Sequence, residues 1–300
     1  MRILITGATG FVGRAVLRQL IPQSHQVLAL TRNLPPEELG SVQWHVADLG
    51  DVKTYLAKLE EFRPEAVIHL AWQDIPDFSL PTSLANLNQS LQFLQSVIDQ
   101  KLCKKILIAG SCFELNINQG ECLENVTGTP KNHFTWAKHA LRDWLLMQTN
   151  KQPIEIGWMR IFYVYGPYQR SASLIPTILR HLKDASLPPL KTPFNANDFI
   201  YVDDVADAFV KALETSWPSG IFNIGSGQST TVLDVCRLAE KTFFSTTKLS
   251  ELLEANTVSV PANLLNFWAN CNRSHTLLGW QSRTSLQDGL SKTWDWMQKL

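Results

Sequence analysis

The sequence predicts an α/β fold in which helices cover both faces of a parallel sheet. Short apolar runs alternate with longer amphipathic stretches along the first half of the chain. This pattern is typical of strands that are buried on both sides. The first run lies at the very N-terminus and leads into a glycine-rich turn and a helix. With 300 residues, of which 45% are hydrophobic, the chain is long enough for one large domain with its own core.

The individual elements follow from local periodicity. The predicted strands are Arg2–Thr6, Gln26–Thr31, Val42–Val46, Ala66–Leu70, Lys105–Ala109 and Ile154–Ile161. The predicted helices between them are Gly13–Leu20, Val52–Phe62, Leu84–Gln100 and Trp136–Asn150. Later in the chain, we expect Phe199–Val202 to return to the main sheet, followed by Asp203–Leu213, Ile221–Ile224, Val232–Phe243 and a last segment, Lys292–Leu300.

A glycine-rich turn joins the first strand to the first helix. Glycines permit a tight turn, and a helix N-terminus supplies free N–H groups with a positive dipole, so this arrangement lets the backbone approach a pyrophosphate. The alternative is an ordinary turn of the same composition. The residues predicted to bind a dinucleotide cofactor here are Gly7, Thr9, Gly10, Phe11, Val12 and Gly13.

The composition changes after Gly166, where prolines become frequent. We therefore predict a dinucleotide-binding domain over residues 1–166, to which residues 199–224 return. Residues 167–198 and 225–300 are predicted to form a smaller substrate lobe.

The bulk composition argues against several classes of protein. Lys plus Arg equals Asp plus Glu at 27 each, so the net charge of zero gives no electrostatic footprint for nucleic acid or an anionic membrane. No apolar stretch is long enough to predict a membrane span, and the chain enters a strand at once rather than a signal peptide. The five cysteines lack Cys-x-x-Cys spacing, so we expect reduced thiols, no metal site and a cytoplasmic protein.

The segment Thr6–Gly13 resembles the fingerprint of the extended short-chain dehydrogenase/reductase (SDR) family, and the resemblance covers nearly the whole chain. It implies a doubly wound, Rossmann-type sheet with a smaller C-terminal substrate lobe. Gly110–Glu114 and Gly120–Glu124 resemble a branch that includes reductases and epimerases of deoxy nucleotide sugars.

Arg32 determines the predicted choice of cofactor. It follows the second strand, where an NAD site usually has an acidic residue that binds the ribose 2′-hydroxyl. An arginine is suited to a 2′-phosphate, so we predict NADP rather than NAD; the alternative is an ordinary surface arginine. We expect His69 to be a packed histidine. The resemblance implies further cofactor contacts from Asp48, Leu49, Leu70, Ala71, Trp72 and Lys138.

The catalytic positions implied by the resemblance are Ser111, Phe134 and Lys138. Ser111 would hold the substrate oxygen, and Lys138 would bind the nicotinamide ribose. Phe134 occupies the position of the family's tyrosine, and a phenyl ring cannot transfer the proton that accompanies hydride transfer. General acid catalysis typically contributes about 10²–10⁴-fold, so this departure is important.

Three explanations of Phe134 remain open at this level. The residue is a deliberate change from tyrosine made to trap a complex, the protein uses another proton donor, or it binds its cofactor without turnover. The candidates for another donor are His133, Cys112, Glu114, Tyr163 and Tyr165.

The resemblance also implies a substrate site, and the residues expected there are Ser111, Cys112, Phe113, Tyr163, Ser173 and Asn197. Asn197 stands where an arginine is common, which weakens the case for a standard nucleoside-diphosphate sugar. The implied function is an NADP-dependent reductase or epimerase of a nucleotide-linked 4-keto-6-deoxy sugar. The alternatives are an SDR-type reductase of another small carbonyl compound and a catalytically impaired NADP(H)-binding sensor or regulator.

The predicted helices Leu84–Gln100 and Trp136–Asn150 both carry apolar faces. In the resembling family such helices often pair with a second subunit, which implies a homodimer. The alternative is that both faces simply cover the sheet.

Overall fold

A computed structural model describes residues 1–33, 35, 42–126, 128–256 and 263–300. The strands of its main sheet are β1 (Arg2–Thr6), β2 (Gln26–Thr31), β3 (Gln43–Val46), β4 (Ala66–His69), β5 (Lys105–Ser111), β7 (Glu155–Ile161) and β11 (Gly220–Ile224). All neighbours are parallel, in the order β11-β7-β5-β4-β1-β2-β3. The predicted doubly wound, Rossmann-type sheet is confirmed. Because the strand order reverses beside β1, a crevice opens at the carboxyl ends of β1 and β4.

The predicted helices are present between the strands, although some of their bounds differ, and further helices that the periodicity did not predict lie within residues 174–278. They are α1 (Phe11–Leu20), α2 (Leu56–Phe62), α3 (Leu80–Asp99), α4 (His133–Met147), α5 (Leu174–Lys183), α6 (Val202–Glu214), α7 (Val232–Phe244), α8 (Lys248–Ala255), α9 (Asn272–Leu278) and α10 (Leu286–Met297). Helix α4 begins earlier than predicted because Asn132 caps it, accepting a hydrogen bond from the Thr135 N–H at 2.9 Å.

Two apolar cores lie on opposite faces of the sheet. Alternate residues of a strand face opposite sides, so Ile3 and Ile5 enter one core while Leu4 enters the other. Helices α1 and α6 pack together on the first face, and α3 and α4 pack together on the second. This double burial explains why the strands are apolar without alternation.

The prediction that Phe199–Val202 returns to the main sheet is wrong. Strand β10 (Phe199–Tyr201) pairs instead with β8 (Tyr163–Tyr165) in a separate two-stranded parallel sheet. It cannot join β7 because β5 and β11 already flank that strand. The return is made by α6, which packs on α1, and by β11, which pairs with β7.

A second small sheet joins distant parts of the C-terminal half. Its strands are β6 (Gln119–Cys122), β9 (Ala196–Asn197), β12 (Thr230–Thr231) and β13 (Asn266–Ala269). They run in the order β12-β9-β13-β6. The buried Asp198 carboxylate supports this region, accepting hydrogen bonds from the N–H groups of Ser226 and Ala269. The division of the chain at residue 166 stays a prediction.

The outer surfaces of α3 and α4 carry apolar side chains. Leu84, Trp136 and Met147 are exposed, whereas Leu87 and Leu94 pack into the core. The apolar residues of α3 are thus divided between the sheet and the surface, and a homodimer stays a prediction. Within the described ranges, no helix combines the length and the apolar character that crossing a membrane requires.

Candidate active site

The glycine-rich turn lies at the crevice in the sheet. Gly7 has φ +70°, a conformation that favours glycine. A Cβ at Gly7 would lie 2.7 Å from the Ala71 nitrogen, and one at Gly13 would lie 2.1 Å from the Gly7 carbonyl oxygen. Helix α1 then begins at Phe11 with no side-chain cap at Gly10. The N–H groups at the uncapped start of α1 are therefore available to a pyrophosphate, and the glycines keep the turn tight beside them.

The end of β4 forms the opposite wall of this crevice. The N–H of Leu70 donates to the Thr6 carbonyl oxygen at 3.1 Å, and the N–H of Ala71 donates to Thr6 Oγ1 at 3.3 Å. His69 is buried between Thr6 Oγ1 and Ser90 Oγ, at 2.8 and 3.0 Å from its two ring nitrogens. Burial lowers the pKa of His69 to about 3, so the ring is neutral. The expectation of a packed histidine is confirmed.

Arg32 and Asp48 follow neighbouring strands at the same edge. Arg32 is exposed, and its Nη1 donates to Gln73 Oε1 at 3.0 Å. Asp48 Oδ1 accepts from the Gly50 N–H at 2.8 Å. Leu49 is half-buried beside Asp48. The structure thus brings Arg32 and Asp48 to the crevice side predicted for the adenosine half of the cofactor.

Ser111 is the last residue of β5 and begins the turn that follows. Its Oγ accepts from the Phe113 N–H at 3.3 Å, which leaves the hydroxyl proton free to donate. Its own N–H donates to Glu114 Oε1 at 2.7 Å. A side chain at Gly110 would collide with the Trp158 ring. The backbone around Ser111 is therefore held by the Glu114 carboxylate on one side and by the Trp158 ring, which packs on Gly110, on the other.

Lys138 lies one helical turn after Phe134 on α4, on the same face. Its Nζ donates to the Ala109 carbonyl oxygen at 2.9 Å and lies 3.8 Å from the centroid of the Trp72 ring. Burial lowers the pKa of the Lys138 ammonium to about 8, while the charge of Glu114 opposes the shift. Lys138 thus links β5, α4 and the end of β4.

Phe134 is buried in an aromatic cluster. Its ring centroid lies 4.9 Å from that of Phe78 and 5.6 Å from that of Trp72, which it meets edge to face. The ring is 4% exposed, so it packs as an apolar group. No polar atom of residue 134 reaches the site.

Two of the alternative proton donors have structural roles. Glu114 is buried, and besides Ser111 its carboxylate accepts from Trp158 Nε1 at 3.0 Å and pairs with Arg142 at 3.4 Å. Tyr165 is buried, and its hydroxyl donates to the Leu286 carbonyl oxygen at 3.3 Å. Neither group is free to serve a substrate.

The other three candidates differ in position. His133 is exposed at the start of α4. Cys112 and Tyr163 line a cavity, and burial raises the pKa of each well above its usual value. Both therefore stay protonated at neutral pH.

Two adjoining cavities lie beyond the end of β5. Ser111 lines neither of them, although the two residues that follow it line the first. The first, of about 300 Å³, is mainly aromatic and apolar; its walls include Phe78, Cys112, Phe113, Tyr163 and Phe267. The second, of about 350 Å³, shares Tyr163 and Leu265 with the first. Its other lining residues include Leu174, Lys191, Thr192, Asn195 and Asn197.

The predicted substrate residues divide between these cavities. Cys112 and Phe113 line the first, and Asn197 lines the second, where its buried Oδ1 has no hydrogen-bond partner among the described residues. Ser173 precedes α5, and its neighbour Leu174 reaches the second cavity in its place.

Sequence reasoning missed Phe78, Gln73 and the walls contributed by β13. Phe78 packs on Phe134 and lines the first cavity, and Gln73 contacts Arg32. Leu265 and Phe267 come from a distant part of the chain. For Gln73 and Phe78, the one sequence feature that indicates a site is their position after the fourth strand, at the edge of the sheet where ligands bind. Leu265 and Phe267 have no comparable sequence feature.

The family model that describes the NAD-dependent epimerase/dehydratase family matches residues 3–225, which is most of the chain. The chain belongs to this family. The predictions of membership in the extended SDR branch and of an enzyme are confirmed. A nicotinamide dinucleotide is the class of cofactor that follows. Among the described residues, no group of three His, Cys, Asp or Glu side chains could hold a metal ion.

Curated relatives and solved structures agree with this family. The chain is 28% identical over 232 residues to dTDP-6-deoxy-L-talose 4-dehydrogenase (NAD(+)) of Aggregatibacter actinomycetemcomitans, covering 76% of this chain and 85% of that protein. It is 24% identical over 307 residues to dTDP-4-dehydro-6-deoxyglucose reductase of Escherichia coli, covering 97% and 95%. UDP-glucose 4-epimerase of Thermotoga maritima has the same fold, with a TM-score of 0.83 at 22% identity, covering 100% of this chain and 99% of that one.

Proposed function

We propose that this protein is an NADP-dependent reductase or epimerase that acts on the 4-keto group of a nucleotide-linked 6-deoxy sugar. The observation that carries the proposal is that the glycine turn, Ser111 and Lys138 lie at the same carboxyl edge of the sheet, and that Cys112 and Phe113, which follow Ser111, line the first of the two cavities. The similarity to enzymes named for dTDP-linked 6-deoxy sugars supports it.

The cofactor fits the crevice because α1 begins there with no side-chain cap, and because Gly7 and Gly13 let the turn pack so closely on neighbouring backbone that a Cβ at either position would collide with it. The N–H groups at the start of α1 would bind the pyrophosphate, Leu49 and Asp48 would contact the adenine, and Arg32 would bind the 2′-phosphate. When bound, NADPH supplies a hydride to a carbonyl carbon. NAD is the less favoured cofactor because Arg32, and not an acidic residue, directly follows Thr31 at the end of β2.

The substrate fits the two cavities in different ways. The aromatic walls of the first, formed by Phe78, Phe113 and Tyr163, would bury the methyl group of a 6-deoxy sugar without leaving a hydroxyl unpaired. In the second, Lys191 and the Asn197 amide would bind the diphosphate and nucleoside. Because Asn197 stands where an arginine is common in the family, the diphosphate would rely on Lys191 for charge in this cavity, so we expect modest affinity for it.

Ser111 and Lys138 would orient the reacting groups. The Ser111 hydroxyl would donate a hydrogen bond to the substrate oxygen, and the Lys138 ammonium would bind the ribose hydroxyls. Because residue 134 carries no hydroxyl, the proton that completes the reduction must come from solvent or from a cavity side chain such as Tyr163 or Cys112. We therefore expect slow turnover.

The proposal is tested by mixing the protein with NADPH and a dTDP-linked or GDP-linked 4-keto-6-deoxyhexose, and following loss of the reduced nicotinamide absorbance. We expect slow consumption of NADPH, slower consumption of NADH, and loss of activity in Ser111→Ala. Reduction of an apolar ketone instead would favour the second candidate, which the aromatic walls of the first cavity also support. Tight binding of NADPH without consumption of any substrate would favour a sensor or regulator.

The activity should also depend on the charge of Lys138. With a pKa of about 8, the ammonium is protonated below that pH and neutral above it. We expect kcat/KM to fall as the pH rises through about 8, because the neutral amine loses its charged hydrogen bonds to the ribose. Initial rates between about pH 6 and 10 test this prediction, because that range spans the titration of Lys138. Lys138→Met should be slow at every pH and show no fall in rate on the alkaline side. An alkaline limb that survives in Lys138→Met would contradict the assignment.

A further inference from the structure

Arg32 is connected to a residue far away in the sequence. Its Nη1 donates to Gln73 Oε1 at 3.0 Å, across 41 positions of the chain. Its Nε and Nη2 have no hydrogen-bond acceptor among the residues that the structure describes. A guanidinium carries five N–H donors in a planar fork. One contact therefore orients the side chain, and within the described ranges most of its donors have no partner.

Gln73 is itself held by helix α3. Its N–H donates to Asn86 Oδ1 at 2.6 Å, and the Asn86 amide donates back to the Gln73 carbonyl oxygen at 3.3 Å. The side-chain amide of Gln73 donates to Gln89 Oε1 at 2.8 Å. Because Arg32 can only donate and Gln89 Oε1 can only accept, the amide has one orientation that satisfies both.

Gln89 connects this chain of contacts to the adenosine side of the crevice. A Cβ built on Gly50 would lie 3.3 Å from both Gln89 Nε2 and Asp48 Oδ1, so these two side chains flank the same glycine. Asn86 and Gln89 are three residues apart and share one face of α3. A single helix face thus orients Gln73, and through it Arg32.

We propose that Gln73 is a positioning residue that presents Arg32 to the 2′-phosphate of NADP and so sets the preference for NADP over NAD. This inference rests on the proposed use of NADP. The phosphate would bind the free nitrogens of Arg32, while Gln73 keeps the guanidinium from moving into solvent. Preorganisation of this kind lowers the entropy cost of binding.

The test measures the Kd of NADP⁺, NAD⁺ and 2′,5′-ADP by calorimetry for the unmodified protein and its variants. In Gln73→Leu, which removes the acceptor, the Kd of NADP⁺ should rise about 3- to 10-fold while that of NAD⁺ changes less than about twofold. In Gln73→Glu, a carboxylate would pair with Arg32 and repel the phosphate, so the Kd of NADP⁺ should rise more than about 10-fold. Gln92→Leu, an exposed glutamine of α3 outside the network, is the matched control.

The phosphate probe and the arginine variant separate the possible failures. 2′,5′-ADP should follow NADP⁺ in every variant because both carry the 2′-phosphate. If Arg32→Ala leaves the affinity for NADP⁺ unchanged, the proposed NADP preference fails, and the role of Gln73 fails with it. If Arg32→Ala weakens NADP⁺ but Gln73→Leu does not, or weakens NAD⁺ equally, only the positioning role of Gln73 is overturned.

Discussion

The Phe134→Tyr variant should reduce the proposed 4-keto sugar nucleotide with a kcat about 10²–10⁴-fold above that of the unmodified protein, the range that a general acid typically contributes. The new hydroxyl would be one helical turn from Lys138, whose buried ammonium would stabilise a phenolate. The surrounding rings of Trp72 and Phe78 already hold an aromatic side chain at this position. Single-turnover rates of NADPH oxidation measure the effect on the chemical step.

Phe78→Tyr is the matched control for this change. It adds the same hydroxyl to the neighbouring ring of the cluster, at a position that does not share a helix face with Lys138. Because Phe78 also lines the first cavity, we expect the new hydroxyl to raise the KM for the sugar nucleotide, but to leave the single-turnover rate at saturating substrate within about threefold, since proton transfer requires a positioned donor. An unchanged rate in Phe134→Tyr would mean that another group already supplies the proton efficiently, and Tyr163→Phe would then be the next variant to measure.

The Glu114→Leu variant should be about 3–5 kcal/mol less stable than the unmodified protein, the usual cost of breaking a buried ion pair from one side. Glu114 is 1% exposed and serves the Ser111 N–H, the Trp158 indole and Arg142. Its loss leaves the Ser111 N–H, the Trp158 indole N–H and Arg142 Nη1 without this acceptor, and the buried guanidinium keeps only the exposed carboxylate of Asp143, at 2.9 Å, among its described ion-pair partners. Urea unfolding followed by tryptophan fluorescence gives the free energy of unfolding.

A second substitution separates the ion pair from simple loss of packing. In the double variant Glu114→Leu with Arg142→Met, the buried guanidinium that lost its buried carboxylate partner is gone, so we expect part of the lost stability to return. Glu121→Leu, at an exposed position, serves as the control and should change stability by less than about 0.5 kcal/mol. Equal destabilisation by the single and double variants would contradict the charge argument.

Much of the fold could be predicted from the chain alone. The strand, glycine turn and helix at residues 2–20 have a local signature, because buried strands, tight turns and amphipathic helices each need particular residues at short spacing. The prediction for Phe199–Val202 is wrong because strand pairing depends on distant parts of the chain and not on local spacing. An apolar run predicts a strand but does not say which neighbour it pairs with, and here β11 already occupies the free side of β7.

The residues of the candidate site also divide into those that the sequence predicts and those that only the structure reveals. Ser111, Phe134 and Lys138 could be proposed because each lies within a short recognisable segment. The positions of Gln73 beside Arg32 and of Phe78 on Phe134 had no such signal, since each contact joins residues that are far apart in the chain. The sequence allows Glu114 as a proton donor, and only its contacts with Trp158 and Arg142 reveal its structural role.

The sequence by itself therefore determined the class of fold, the glycine turn that suits a dinucleotide, and the absence of a phenol at position 134. These features depend on residue identity and local backbone geometry. Tertiary structure alone decided how the two cavities are walled, what holds Arg32 and what buries Glu114. Those outcomes depend on side chains from separate strands and helices meeting in space, and short-range spacing carries no information about such meetings.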